Sequence, residues 1–301
     1  MKHAIFLIVP IVLVFLFGSV MPLYADDQVM VVQQQQIQAL QEEIKRLRAL
    51  IATLKTQPQP QSRPQVLSES YLVMDILNNS VVLEKNAGQT YPIASVTKLM
   101  NAVVALENAD INQTIVLTND MLSPQGYSPS LFLNLQVSIK NLLRASLTQS
   151  VNDAAQAISY TVGNQKFLEL MNQKARDLGM NNTYYYDVHG LNPKNHSTSA
   201  DLAKLLTYVY NNHPEILAIT KDNDFWLPDP TGRLLKFKNV NNFSQSPDFI
   251  GGKTGYLPEA KESFASLFKV NGKVMAIVLL RSPNRQKDTL KIIDWVKANA
   301  R

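Results

Sequence analysis

Residues 249–280, FIGGKTGYLPEAKESFASLFKVNGKVMAIVLL, decide the architecture. Three short apolar segments lie in this stretch, Phe249 to Gly255, Ser263 to Val270 and Lys273 to Leu280. Their content of Phe, Val and Ile suits a pleated, half-buried surface, so each reads as a strand. Asn271-Gly272 joins the last two, and both residues tolerate the left-handed conformation that a two-residue hairpin turn demands. Working outward, Tyr71 to Ile76 and Ser80 to Leu83 flank Asn78-Asn79 and predict a second hairpin. Between these ends the period changes from two to about 3.6. Helices are expected over Ser95 to Glu107, through most of Ile139 to Met180, and over Ser199 to Tyr210 with Ser199 as N-cap. A last helix is expected over Thr289 to Ala298. Strands at both ends with helices between predict an α+β fold. The N- and C-terminal strands should pair in one antiparallel sheet, flanked by helices and carrying a helical insert.

The front of the chain reads differently. Lys2 and His3 precede an apolar run from Ala4 to Tyr24, the pattern of an export signal over residues 1–25. Uncleaved, it is long enough to anchor in a membrane with Lys2 inside. The protein is therefore expected outside the cytoplasm, in the periplasm or cell envelope. Residues 28–55 repeat with a heptad: Ile37, Ile44 and Ile51 at one seam position, Leu40, Leu47 and Leu54 at the other. Ile at a with Leu at d favours a parallel coiled coil, and Glu43 and Arg48 fall where they would pair between strands. A homodimer through this segment and a single amphipathic helix both fit the pattern. Residues 56–67, rich in Pro and Gln, predict an extended linker. The globular domain should occupy residues 68–301, enough for one sizeable core.

Composition excludes several classes of function. The 301-residue chain has no cysteine, hence no disulfide framework, thiol nucleophile or thiolate metal site. Its net charge of +5 is not gathered into a basic stripe with interleaved aromatics, so nucleic acid is not an expected partner. His189, His196 and His213 lack metal-ligand spacing, and no metal site is expected.

Three short strings carry chemistry. Ser95-Val-Thr-Lys98 opens a helix, where residues three apart share a face and a hydroxyl can meet an amine. Serine becomes a nucleophile when a neighbouring base takes its proton. Lysine can be that base once burial or positive potential lowers its pKa, and a helix N-terminus supplies some of that potential. Ser150-Val-Asn152 sits between two helical stretches, offering a hydroxyl for proton relay and an amide that can hold both a lysine and a substrate. Lys253-Thr-Gly255 heads a strand after Gly251-Gly252, where a peptide could be added along the edge. Two of these strings recur, as Ser266-Leu-Phe-Lys269 in a strand and Ser282-Pro-Asn284 in a loop. The strand copy points its Ser and Lys to opposite faces.

The order Ser-x-x-Lys, Ser-x-Asn, Lys-Thr-Gly resembles the low-molecular-mass penicillin-binding proteins, the D-alanyl-D-alanine carboxypeptidase family of serine peptidases. The likeness extends to Pro92–Met100, Gln149–Ala155, Met171–Ala175, Leu178–Met180, His189–Leu191, Ser197–Ala203 and Ser282–Arg285. It implies a β-lactamase/transpeptidase-like fold and the D-Ala–D-Ala carboxypeptidase reaction on peptidoglycan stem peptides. In it Ser95 would be the nucleophile, Lys98 the base, and Ser150 and Asn152 the proton relay and substrate orienter. Lys253 would tune the site, Thr254 beside Gly255 would bind the substrate carboxylate, and the backbone N–H groups of Ser95 and Tyr256 would form an oxyanion hole. β-Lactams would acylate the same serine, and no cofactor is implied. Members often hold the carboxylate with an arginine near the last strand, for which Arg281, Arg285 and Lys287 are candidates.

Members also often carry a C-terminal β-rich domain, whereas this chain stops at Arg301. That leaves D,D-endopeptidase cleavage of cross-links open beside carboxypeptidase action. A class A β-lactamase would need Glu-x-x-Leu-Asn, and Glu169-Leu-Met-Asn172 has the wrong spacing. A non-catalytic envelope scaffold built around the coiled coil is the remaining alternative.

Overall fold

The computed structural model describes residues 27–56, 63–124, 131–229 and 231–299. The expected export segment and residues 57–62 of the expected linker lie outside them. Among the described residues no helix is long and apolar enough to cross a membrane. The chain divides into two compact units, Met1–Pro60 and Gln61–Arg301.

The first unit holds α1 (Asp27–Thr56). Its heptad residues Ile37, Leu40, Ile44, Leu47 and Ile51 are between 46% and 65% exposed, so the apolar seam has no cover along most of its length.

The second unit runs in chain order through β1 (Ser70–Asp75), β2 (Ser80–Lys85), β3 (Tyr91–Pro92) and a 3₁₀ turn (Ala94–Val96). There follow α2 (Thr97–Asn108), β4 (Thr114–Val116), β5 (Gln136–Ser138), α3 (Ile139–Thr148), α4 (Asn152–Ser159) and α5 (Asn164–Asp177). Then come β6 (His196–Ser197), α6 (Ser199–Asn212), α7 (Pro214–Lys221), β7 (Phe225–Pro228) and β8 (Leu234–Phe237). The chain closes with β9 (Phe249–Leu257), β10 (Lys261–Val270), β11 (Lys273–Ser282) and α8 (Arg285–Asn299).

One five-stranded antiparallel sheet has the order β2-β1-β11-β10-β9. The expected pairing of the two chain ends is present: Tyr71 lies opposite Leu279 and Val73 opposite Ile277. Asn271 and Gly272 turn the β10–β11 hairpin with φ of 51° and 79°. β1, β10 and β11 alternate between two cores, which is why VMAIVLL reads as one unbroken apolar run. Tyr71, Val73, Phe264, Phe268, Ile277 and Leu279 join Ile292, Ile293 and Val296 of α8 on one face. On the other, Leu72, Met74, Ala265, Leu267, Ala276 and Val278 join the large helical core around Leu99, Val103 and Leu206. In the smaller core, Phe243 packs against Phe264 and Phe268 with centroids 5.7 and 5.2 Å apart.

Two local expectations are corrected. The N-cap of α6 is Thr198, whose hydroxyl accepts from Asp201 N at 3.0 Å. Ser199 instead faces inward, its Oγ 2.9 Å from Ser70 Oγ. The helix expected from Ser95 begins at Thr97, preceded by the 3₁₀ turn that carries Ser95.

Candidate active site

The serine-bearing turn is wedged between a strand and a loop. Ala94, just before Ser95, has φ of +49°, a conformation costly for a residue with a Cβ. Surrounding structure must hold it there. Ile93 N donates to Asn195 O, and two glycines let backbone close in from either side. A Cβ on Gly190 would lie 2.1 Å from Ala94 O, and one on Gly255 would lie 2.7 Å from Ile93 O and 3.0 Å from Ser95 N. Gly190 also has φ of +93°. β9, the outer strand of the sheet, thus brings Lys253–Gly255 against Ser95.

Lys98 lies in the first turn of α2 and is fully buried. Its Nζ donates to Ser95 Oγ at 2.9 Å, Asn152 Oδ1 at 2.8 Å and His189 O at 2.6 Å. Burial pushes its pKa down to about 7, against the Asp187 charge, which pulls it up. A neutral amine keeps two N–H groups and one lone pair. With the carbonyls of Asn152 and His189 taking the N–H groups, the lone pair is aimed at the Ser95 hydroxyl. That geometry can abstract a proton.

The second lysine stands on the opposite wall. Lys253 is also buried, and its Nζ donates to Ser150 Oγ at 2.9 Å and Thr254 O at 2.8 Å. Burial holds its pKa well below the ordinary lysine range, with the Lys98 and Arg285 charges adding to the effect. Ser150 takes φ of +64° between α3 and α4, and Asn152 begins α4. Ser150 does not cap α4, whose cap position is Val151. Thr254 is almost buried, while Tyr256 is 65% exposed beside it.

Sequence reasoning missed the 187–195 loop. Asp187 Oδ1 accepts from His189 N at 3.0 Å, Gly190 N at 2.5 Å and Asn195 Nδ2 at 2.9 Å, and Oδ2 accepts from Asn192 N at 2.5 Å. This carboxylate shapes the turn that aims the His189 carbonyl at Lys98. Asn195 Nδ2 reaches Thr97 Oγ1 at 3.1 Å, tying the loop to α2. The His189 ring lies 3.4 Å from Asp187 but burial takes its pKa down to about 4, so at neutral pH it is uncharged. The string Asp-x-His-Gly-Leu was visible, but a backbone acceptor has no residue-type signature.

Of the three carboxylate-binding candidates, Arg281 pairs with Glu69 at 3.1 Å and donates to Glu259 O at 2.9 Å. Lys287 is exposed on α8. Arg285 pairs with Glu262 at 3.5 Å, and Glu262 is the cross-strand partner of Tyr256. The Arg285 charge also helps to lower the Lys253 pKa. The recurring strings are structural: Ser266 Oγ donates to Ile277 O and Ser282 Oγ to Asp288 Oδ2, both at 2.8 Å. Asn172 is spent on the Tyr185 backbone, accepting from its N at 2.8 Å and donating to its O at 2.9 Å. Among the described residues no three His, Asp or Glu side chains are grouped to hold a metal.

Against this geometry stand the comparisons with known proteins. A family model described as D-alanyl-D-alanine carboxypeptidase matches residues 55–284. The chain belongs to the D-alanyl-D-alanine carboxypeptidase family of serine peptidases. Within the family, it is 31% identical over 254 residues to a D-alanyl-D-alanine endopeptidase of Escherichia coli K12, covering 78% of this chain and 79% of that protein. A D-alanyl-D-alanine endopeptidase of Haemophilus influenzae is 36% identical over 200 residues, 64% of this chain and 68% of that one. The crystal structure of a D-alanyl-D-alanine carboxypeptidase from Mycobacterium tuberculosis superposes with a TM-score of 0.73 at 24% identity, covering 79% of this chain and 95% of that one. The penicillin-binding fold is therefore shared, an antiparallel sheet flanked by helices.

Proposed function

We propose that the protein is a D-Ala–D-Ala carboxypeptidase that trims peptidoglycan stem peptides through an ester on Ser95. The observation that carries this is the buried Lys98 amine, with a pKa of about 7 and its third bond to the Ser95 hydroxyl. Lys98 takes the Ser95 proton as Oγ bonds to the carbonyl carbon of the penultimate D-Ala. The carbonyl oxygen becomes an oxyanion between the N–H groups of Ser95 and Tyr256, donors fixed before charge develops. The C–N bond then breaks, and the departing D-Ala amine takes the proton from Lys98, relayed through Ser150. Water attacks the ester, Lys98 accepts its proton, and that proton returns to Ser95 Oγ. Asn152 orients Lys98 and the substrate amide. Lys253 holds Ser150 in place and tunes the site, while Thr254 and Arg285 receive the terminal carboxylate, Arg by a two-pronged contact. A β-lactam would enter the same path and stop at the ester.

A second reading, D,D-endopeptidase action on cross-links, is favoured by the two relatives so named and by the share of their length this chain spans. One digest separates the two. Purified uncross-linked pentapeptides and cross-linked dimers are incubated with the protein and the products are weighed. Release of free D-Ala from pentapeptide supports the carboxypeptidase. Conversion of dimers to monomers alone supports the endopeptidase, and no product with either substrate defeats both.

Delivery and spacing complete the proposal. Residues 1–25 would export the chain or hold it at the membrane, and α1 would join two copies in parallel. The exposed Ile/Leu seam and the Glu43–Arg48 complementarity support that pairing. Sedimentation of the chain from Asp26 should give a dimer, and a monomer at high concentration would remove this element.

A further inference from the structure

A second cleft, of about 700 Å³, opens beside the β7–β8 hairpin. The hairpin pairs Phe225 with Phe237 and Trp226 with Lys236. Strand alternation sends Phe225 and Phe237 inward, where their rings stack 4.7 Å apart. It sends Trp226 outward, and the indole remains 52% exposed on the cleft wall. No core requires an indole there. Around it stand Asn223, Lys238, Asn239 and Gln245, with Asp224 paired to Lys236 at 3.0 Å.

The cleft is fastened to both walls of the catalytic site. Lys238 N donates to Gln149 Oε1 at 2.9 Å and Val240 N to Thr148 O at 3.1 Å, immediately before Ser150. Asn239 Nδ2 donates to Thr220 O at 3.0 Å, and Thr220 Oγ1 accepts from Gly252 N at 2.9 Å, the residue before Lys253. A substrate portion leaving the catalytic cleft past Ser150 would meet this surface next.

We propose that this cleft is a saccharide subsite, in which Trp226 stacks on an N-acetylhexosamine ring of the glycan that carries the stem peptide. The inference rests on the reading of Ser95 as a stem-peptide hydrolase. The lining matches the chemistry of such a ring. Its C–H faces are apolar and suit an indole face, and its hydroxyl and acetamido groups need both donors and acceptors at the rim. The Asn223 and Gln245 amides, bonded to each other at the rim, supply both, whereas the Asn239 amide is spent within the protein. A cationic peptide would find little to pair with, because Asp224 is already engaged by Lys236.

The full chain and Trp226→Ala are compared on one stem peptide presented free and attached to a glycan chain. Loss of one aromatic stack should raise KM for the glycan-linked form about five-fold. KM for the free peptide and the rate of acylation by a fluorescent penicillin should not change, and Trp226→Phe should recover part of the loss. An equal effect on both peptides, or none on either, would overturn the subsite. If the wild type hydrolyses neither peptide, it is the hydrolase reading that fails. Calorimetry with a β-1,4-linked N-acetylglucosamine tetramer then decides the subsite alone. Saturable binding weakened in Trp226→Ala supports it, and no binding to the wild type overturns it.

Discussion

Lys98 spends its donors on three acceptors, and only one of them is a side chain that a spacing rule could pair with it. The Ser95–Lys98 contact follows from residues three apart at a helix start, so it was legible. The Asn152 contact joins elements 54 residues apart and was legible only through the order of the motifs. The His189 carbonyl was not legible at all, nor was the Asp187 carboxylate that aims it. Because Lys98 must be neutral to act, acylation by a penicillin should rise with pH through a limb near 7 and level off above it. Lys98→Arg, which cannot shed its proton, should lower acylation by about 10²–10⁴-fold. Burial lowers the Lys98 pKa and the Asp187 charge raises it, while the His189 ring is neutral. Asp187→Asn removes the raising charge, so the limb should move to lower pH even where the plateau rate also falls. A limb that stays in place would mean that Asp187 only braces the loop.

At the scale of elements, the site depends on how closely three backbones approach. The 3₁₀ turn at Ala94–Val96 lies between β9 and the 187–195 loop, with Gly255 and Gly190 at the contacts. Gly190→Ala places a Cβ on Ala94 O and forces a left-handed backbone onto alanine. The turn must shift, and displacing the nucleophile by about 1 Å should cost on the order of 10²-fold in acylation rate. Rapid-mixing labelling with a fluorescent penicillin measures this, and a rate equal to that of the wild type would refute the wedge. The sequence showed strands and helices well where the period was strong, as in β10 and β11 around Asn271-Gly272. It misled at Ser199, the better cap of the Thr198-Ser199 pair by residue type, because Ser199 is buried against Ser70 and Thr198 takes the cap. The β7–β8 hairpin was missed because its strands are four residues each, too short for a period to stand out.

For the whole molecule, one sheet separates two cores and carries the site at its outer strand. The smaller core, under α8, gathers four phenylalanine rings among its aliphatic side chains, with Phe264 touching Phe243, Phe249 and Phe268. Phe264→Ala should destabilise the second unit by about 3–5 kcal/mol, read from denaturant unfolding. A change below 1 kcal/mol, on the order of a surface substitution, would contradict its place in that core. The α+β class and the pairing of the chain ends were legible because hairpins at both ends leave few ways to close a sheet. The two-sided burial was not: an unbroken apolar run tells of cover on both faces without naming what lies there.

The claim on which everything rests is that the Ser95 hydroxyl is made nucleophilic by Lys98. Intact mass and peptide mapping after incubation with benzylpenicillin test it most directly. The account predicts one added penicilloyl group, located on the peptide containing Ser95 and absent from Ser95→Ala. A folded protein that gains no mass, or gains it on another residue, would contradict it.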